Sequence, residues 1–270
     1  MRAITIASGK GGVGKTTISL NLGLALTNLK YKVIVIDADL SMANLGVMMG
    51  VEQAPVTLHN VLRGEIEIKD AIYQGPGGLK YVPAGLAISK GSRIDYNRLP
   101  EGVKQLNESA DFVLIDSAPG LGPDAETAIK SSKEIILVVT PEPSSLADAI
   151  KIKTIANRSD VKIIGIVYNM VTGSPEEIHA KDVSTVLEAP VILEMPFDVK
   201  VRRSTAAQEP VFVKFPESDF SRGISILASK LTGTMPMDSG IRVKKGIISS
   251  ILNNIKDIFS RFSKKTPKKT

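Results

Sequence analysis

The string Ser8-Gly9-Lys10-Gly11-Gly12-Val13-Gly14-Lys15-Thr16-Thr17 sets two lysines and two threonines in a glycine-rich run near the start of the chain. Glycines let consecutive backbone N–H groups converge on one centre, and a lysine and a hydroxyl follow at once. Donors in that arrangement suit a phosphate chain and its metal. Amides of Gly9, Gly11, Gly12, Val13 and Gly14 would cradle the anion, Lys15 would reach the β- and γ-phosphates, and the Thr16 hydroxyl would hold Mg²⁺. A glycine-rich turn that merely ends a strand is the plainer alternative. The match to G-x-x-x-x-G-K-[ST] between a strand and a helix weighs against it. Lys10 is a second lysine inside the loop, and an ordinary cradle does not need it.

Such a loop has to be held by a strand before it and a helix after it. The apolar run Ala3-Ile4-Thr5-Ile6-Ala7 supplies the strand, and 18–29 has the pattern of an amphipathic helix. Further runs at 32–39, 112–116, 135–140, 163–169 and 191–193 read as buried parallel strands. Helical patterns at 123–132, 144–157 and 176–187 lie among them, so the fold class is α/β, a doubly wound and mostly parallel sheet with helices on both faces. Ligands of such sheets sit at the carboxyl ends of the strands. Asp37, Asp39, Asp116, Thr140 and Asn169 all fall there. Each alone could be a surface residue closing a strand; together, around one phosphate loop, they outline a site. Residues 41–110 are less regular, with a short helix at 57–62 and a strand at 79–83. His59 is expected to be a partly exposed helix residue, and with His179 the only other histidine no histidine metal site is expected. Helices at 199–208 and 224–231 follow Pro196.

At 270 residues and 43% hydrophobic content, the chain can bury a substantial core. It has no cysteine, which excludes disulfides, zinc–thiolate sites and thiolate-ligated iron–sulfur sites. The first strand begins at the N-terminus, so no cleaved leader is expected, and no apolar run reaches the ~18 residues of a membrane span. Net charge is +6. Residues 232–270 hold nine basic and two acidic residues, a charge of +7, which leaves 25 basic and 26 acidic residues, or −1, for 1–231. A neutral body with a cationic tail points the tail at an anionic partner.

The body expected at 1–231 gives way to a linker at 232–245, made of small, polar and helix-breaking residues. Within 246–263, Ile247, Ile248, Ile251, Leu252, Ile255, Ile258, Phe259 and Phe262 fall in a sector of roughly 140° at ~100° per residue, with polar residues opposite. A basic tail, 264–270, ends the chain. A helix of this kind either covers a body or partner surface, or lies in a membrane interface with lysines among anionic headgroups. The linker, the C-terminal place and the lysines at 264, 265, 268 and 269 favour the membrane.

The strings Lys10-Gly11-Gly12-Val13-Gly14-Lys15-Thr16-Thr17, Val35-Ile36-Asp37-Ala38-Asp39-Leu40 with Asn44-Leu45-Gly46, and Leu114-Ile115-Asp116-Ser117-Ala118-Pro119-Gly120 resemble the MinD/ParA family of deviant Walker A P-loop ATPases. The resemblance covers 1–231, and the C-terminal helix resembles the membrane-targeting helix of MinD. It implies ATP and Mg²⁺ as cofactors and an ATP-dependent homodimer in which Lys10 crosses to the phosphates of the other subunit. It further implies that Thr17 meets the α-phosphate, Asp39 orients or activates the attacking water, Asp37 sits close to the metal and Asp116 holds the metal through water. The Gly120 amide would sense the γ-phosphate, and Asn169 would read the adenine edge with Pro196 and the loop after it behind the ring. Many relatives place the second-switch proline one residue earlier; Asp116 and Gly120 keep their spacing, so sensing is expected to survive.

The function so implied is a membrane-cycling ATPase switch. ATP dimerises the chain, paired tails bind an anionic membrane, and an activating protein triggers hydrolysis and release. The chain is then expected in the cytoplasm and peripherally on the inner face of the cell membrane, in septum-site determination for cell division or in positioning another structure. Two alternatives stay open. One is a ParA-type partitioning ATPase whose tail binds DNA non-specifically through phosphates, which has no use for the apolar face. The other is a flagellar or pole-positioning ATPase, disfavoured by the lack of an extension before the first strand.

Overall fold

In the computed structural model of the chain, which describes residues 1–51, 54–85 and 94–234, the apolar runs pair into a single sheet. The elements run β1 (Arg2–Ala7), α1 (Lys15–Asn28), β2 (Val33–Ala38), α2 (Leu45–Met48), α3 (Leu58–Arg63), β3 (Tyr73–Gln74), β4 (Lys80–Val82), α4 (Arg98–Gln105), β5 (Phe112–Ser117) and α5 (Pro123–Lys130). They continue as β6 (Glu134–Val139), α6 (Pro143–Arg158), β7 (Lys162–Val171), α7 (Ala180–Leu187), β8 (Val191–Pro196), α8 (Val199–Ala206), α9 (Val211–Lys214) and α10 (Asp219–Thr232). Spatial order is β3-β4-β2-β5-β1-β6-β7-β8. The ladder is parallel from β4 to β8, and β3 pairs antiparallel with β4. β1 lies between β5 and β6, so the connection from β1 runs to β2 on one side while that from β5 crosses to β6 on the other. The loop after β1 therefore opens at the point where a doubly wound sheet leaves a crevice.

Strand alternation decides which residues face which layer. Ile4 and Ile6, Val33 and Val35, and Phe112 and Leu114 pack with α1, α9 and α10. Ile34 and Ile36, and Val113 and Ile115, pack on the opposite face with α3 and α4. Ile135, Leu137 and Val139 also line that opposite face, under α6 and α7. Carrying the same period of two one step further puts Asp37 and Asp116 on the α1 face. They are direct neighbours in the register of β2 and β5.

The expected helix at 18–29 departs from amphipathicity. Residues from Ile18 to Leu26 are buried without a break, because α1 is enclosed by β1, β2 and β5 on one side and α10 and α9 on the other; a helix wrapped on all sides has no wet stripe to keep polar. His59 is likewise corrected. It is 4% exposed, and its Nδ1 pairs at 2.5 Å with the carbonyl of Ala84, just past β4. The helix expected from 176 starts only at Ala180, since the Glu177 carboxylate takes the backbone N–H groups of Thr172 and Gly173 and holds a turn there. α10 starts earlier than expected, where Ser218 caps it by accepting from the N–H of Ser221. α4 carries Gly102 and Pro100, and its helical period was hidden by them. The linker beyond Thr234, the helix with its apolar stripe from Ile247 to Phe262 and the basic tail lie outside the described residues. Among the described residues no helix is long and apolar enough to cross a membrane.

A buried amide ties α1 to the C-terminal part of this layer. Asn21 is 0% exposed, donates from Nδ2 to the Thr17 carbonyl at 2.7 Å and accepts from the Phe212 N–H at 2.8 Å through Oδ1. Asn21→Ala leaves that N–H without its acceptor and is expected to lower folding stability by about 1–3 kcal/mol in urea titration. An unchanged midpoint would show that water replaces the amide.

Candidate functional site

Residues 8–14 carry the chain from the end of β1 to the start of α1. Gly12 at φ 78° and Gly14 at φ 97° hold the left-handed backbone that the turn requires. A Cβ on Gly14 would stand 2.6 Å from Asn169 Nδ2, whereas one on Gly12 would meet no atom within 4 Å. The loop is thus closed toward β7 and open over its own hollow. Gly9 presses on α6, where a Cβ would come within 2.5 Å of the Asp148 carbonyl oxygen. A Cβ on Gly11 would stand 3.9 Å from Pro119 of the loop after β5.

Three ionisable groups are buried beneath this loop. Lys15 is 6% exposed and donates to Ser8 Oγ at 3.0 Å. Burial lowers its proton affinity, and the charges of Asp116 and Asp39 act against that. Asp37 is 1% exposed. Its Oδ1 accepts from the Asp39 N–H and its Oδ2 from the Leu45 N–H, both at 3.2 Å. Both oxygens expected near the metal therefore already hold the 39–45 segment. Desolvation, then the neighbouring Asp116, raises its proton affinity well above the usual carboxylate range. Asp116 is fully buried and pushed up to about 6, by desolvation above all, with the nearby hydroxyls of Thr16 and Ser19 and the charge of Lys15 opposing. Its Oδ1 accepts from Ser19 Oγ at 3.1 Å; its Oδ2 has no partner.

The remaining expected residues ring the same loop. Asp39 is partly exposed and its Oδ1 accepts from the Met42 N–H at 2.9 Å. Gly120, at φ 85°, donates its N–H to the Ser8 carbonyl at 3.4 Å. Asn169 is buried and donates from Nδ2 to the Val13 carbonyl at 2.8 Å. Thr140 is buried at the end of β6, its hydroxyl without a partner. Thr16 and Thr17 stand in the first turn of α1, half-buried. Pro196 ends β8, and Phe197 and Val199 after it are each 51% exposed, an apolar shelf. Lys10 lies apart from Lys15. Its Nζ pairs with the Glu142 carboxylate and lies 3.2 Å from Ser144 Oγ, at the start of α6.

Converging amides, a buried lysine and an orphaned carboxylate oxygen form an incomplete charge set. A polyphosphate carrying a divalent cation would complete it, the anion offsetting Lys15 and the loop amides and the cation offsetting Asp116. Among the described residues no group of three or more His, Cys, Asp or Glu is placed to hold a metal by itself. That donor set fits Mg²⁺, which retains waters and takes ligands from substrate phosphates, better than a metal needing an all-protein cage.

Residues 1–232 match the ParA family, described as NUBPL iron-transfer P-loop NTPases. The chain belongs to the MinD/ParA family. An uncharacterised ATP-binding protein of Methanocaldococcus jannaschii is 42% identical over 259 residues, 96% of this chain and 97% of that one. The antiactivator FleN of Pseudomonas aeruginosa is 31% identical over 242 residues, 86% of each chain. Among solved structures, the septum site-determining protein MinD of Pyrococcus horikoshii, complexed with Mg-ADP, aligns with a TM-score of 0.78 at 34% identity, over 85% of this chain and 95% of that one.

Sequence reasoning about this MinD/ParA chain missed Ser8, Ser19 and Glu142. Ser19 had a local signal, since it lies four residues after Lys15 and so on its side of α1. Glu142 had none; its meeting with Lys10 spans 132 residues.

The buried carboxyls predict a pH dependence. Asp116 binds its proton more tightly in the folded chain than at the ordinary value of 3.8. Between that value and about 6 the folded state holds protons that the unfolded state has released, so stability falls as pH rises through this window. Metal- and nucleotide-free protein should melt higher at the acid end of that window than above it. Asp116→Asn should melt above the native chain at neutral pH and lose most of that advantage at the acid end. Parallel melting curves for the two proteins across the window would contradict the burial argument.

Proposed function

We propose that this chain is an Mg²⁺-dependent ATPase switch of the MinD type, which dimerises on ATP and as a dimer binds an anionic membrane surface. The observation that carries the reading is the division between its two loop lysines. Lys15 is buried in the cradle, while Lys10 is held at the rim by an exposed pair with Glu142, a kind of contact worth about 0–1 kcal/mol. One lysine is built into the site, and the other is free to leave for another subunit at little cost.

In this reading Lys15 and the amides of residues 9–14 hold the phosphate chain, with Thr16 on the metal and Thr17 on the α-phosphate. Mg²⁺, when bound, neutralises charge on the phosphoryl oxygens. Asp116 orients the metal's water shell, Asp37 organises the segment that carries Asp39, and Asp39 positions the attacking water. Gly120 exchanges its long hydrogen bond to Ser8 for the terminal phosphate. Asn169, with its amide set by Val13, meets the adenine edge above the shelf of Pro196 and Phe197. Lys10 completes the phosphate site of the second subunit, as an arginine finger does elsewhere. The Mg-ADP in the P. horikoshii MinD relative supports the ligand pair. The membrane-binding face and its basic flank rest on the pattern of Ile247, Ile248, Ile251, Leu252, Ile255, Ile258, Phe259 and Phe262, and a protein partner would accelerate hydrolysis and release. The likeness to FleN supports a second version, in which the same switch serves a structure other than the septum.

Sedimentation with anionic liposomes tests the cycle. More protein should pellet with ATP than with ADP, and high salt should leave a remnant because apolar insertion is not screened. Equal pelleting with both nucleotides removes the switch; none with either removes the membrane. Lys10→Ala is expected to keep nucleotide binding and to lose ATP-dependent dimerisation, hydrolysis and recruitment together. Normal hydrolysis by that variant would make the loop an ordinary cradle.

A further inference from the structure

The hydroxyl of Ser19 is directed out of α1. Helix-borne Ser184, Ser204 and Ser221 reach carbonyls beyond their own helical turn, while Thr27 in α1, like Thr154, Thr185, Thr205 and Ser225, turns back to the carbonyl four residues earlier. Ser19 instead donates across to Asp116 Oδ1 at 3.1 Å. It is 0% exposed and sits between Ile18 and Leu20, both also fully buried. A hydroxyl in such a place costs free energy unless it is hydrogen-bonded. The bond it makes uses one oxygen of Asp116 and leaves the other, Oδ2, buried and without a protein partner.

We infer that Ser19 is a positioning residue for the divalent cation: its hydroxyl fixes the Asp116 carboxylate in the one orientation that reserves Oδ2 for the metal and its water. The inference rests on the nucleotide-site reading above. Thr16 and Ser19 divide the work, Thr16 on the rim toward the metal and Ser19 one turn deeper behind the carboxylate. Partners of this kind hold the ligating group still and typically change metal affinity when removed.

The test compares two variants of the same shape, Ser19→Thr and Ser19→Val, in the full chain. Mn²⁺ serves as the probe, and its binding to the protein–nucleotide complex is followed by electron paramagnetic resonance. Ser19→Thr should bind Mn²⁺ within about twofold of the native chain, and Ser19→Val about tenfold more weakly with an altered hyperfine line shape. Nucleotide affinity in chelator, without metal, should be the same for all three. Equal Mn²⁺ affinity for the two variants would overturn the inference. So would a loss of metal-free nucleotide binding in Ser19→Val, which would make Ser19 a packing residue of the cradle. A native chain that bound no nucleotide under any condition would overturn the nucleotide-site reading and this inference with it.

Discussion

The burial of Lys15, Asp37 and Asp116 beneath a loop of converging amides is the constraint on which the other features depend. Charge taken out of water has to be met by opposite charge or hydrogen bonds, or it shifts toward neutrality. Here the matching is partial. Ser8 holds Lys15, Ser19 holds one oxygen of Asp116, and two backbone N–H groups hold Asp37. One carboxylate oxygen and the loop amides are left over, and the proton affinities of all three groups move in the direction that reduces their charge. The dry faces of the sheet, packed on both sides by helices, keep water from relieving the mismatch. A ligand with negative phosphates and a divalent cation would relieve it by charge alone.

Loops around the cradle are each tied to it by a few polar contacts. The 39–45 segment hangs on Asp37, the loop after β5 on the Ser8 carbonyl, the end of β7 on the Val13 carbonyl, and Lys10 on Glu142. Each of these ties is one or two hydrogen bonds or an exposed ion pair. In the proposed switch, a change of occupant in the cradle would shift several of these loops at once. The exposed side chains of Met42 and Leu121 lie on two of those segments.

Much of the fold was legible along the chain. The strands and the glycine-rich turn into α1 are legible because their signals are local: apolar runs of strand length and glycines at turn positions. Asp37 and Asp116 could be placed at strand ends for the same reason. Local signals failed where enclosure or long-range pairing decided the outcome. α1 carries no wet stripe because α9 and α10, nearly two hundred residues later in the chain, cover the side that faces away from the sheet. His59 is buried because the loop after β4 folds over it, and α4 was masked by a proline and a glycine that tertiary contacts tolerate.

By itself, then, the sequence determined a phosphate-binding strand–loop–helix, a parallel sheet to hold it, and the polar residues at the strand ends, since each depends on near neighbours and on the periods of helix and strand. Only the tertiary structure decided how those residues use their atoms. It set Asp37 to anchoring a loop rather than standing free beside the cradle, turned Ser19 onto Asp116 in place of its own helix, fixed Asn169 to Val13, and sent Lys10 out to Glu142. Those choices depend on which strands and helices lie side by side, and side-by-side order in a doubly wound sheet follows from crossovers that bring together residues more than a hundred positions apart.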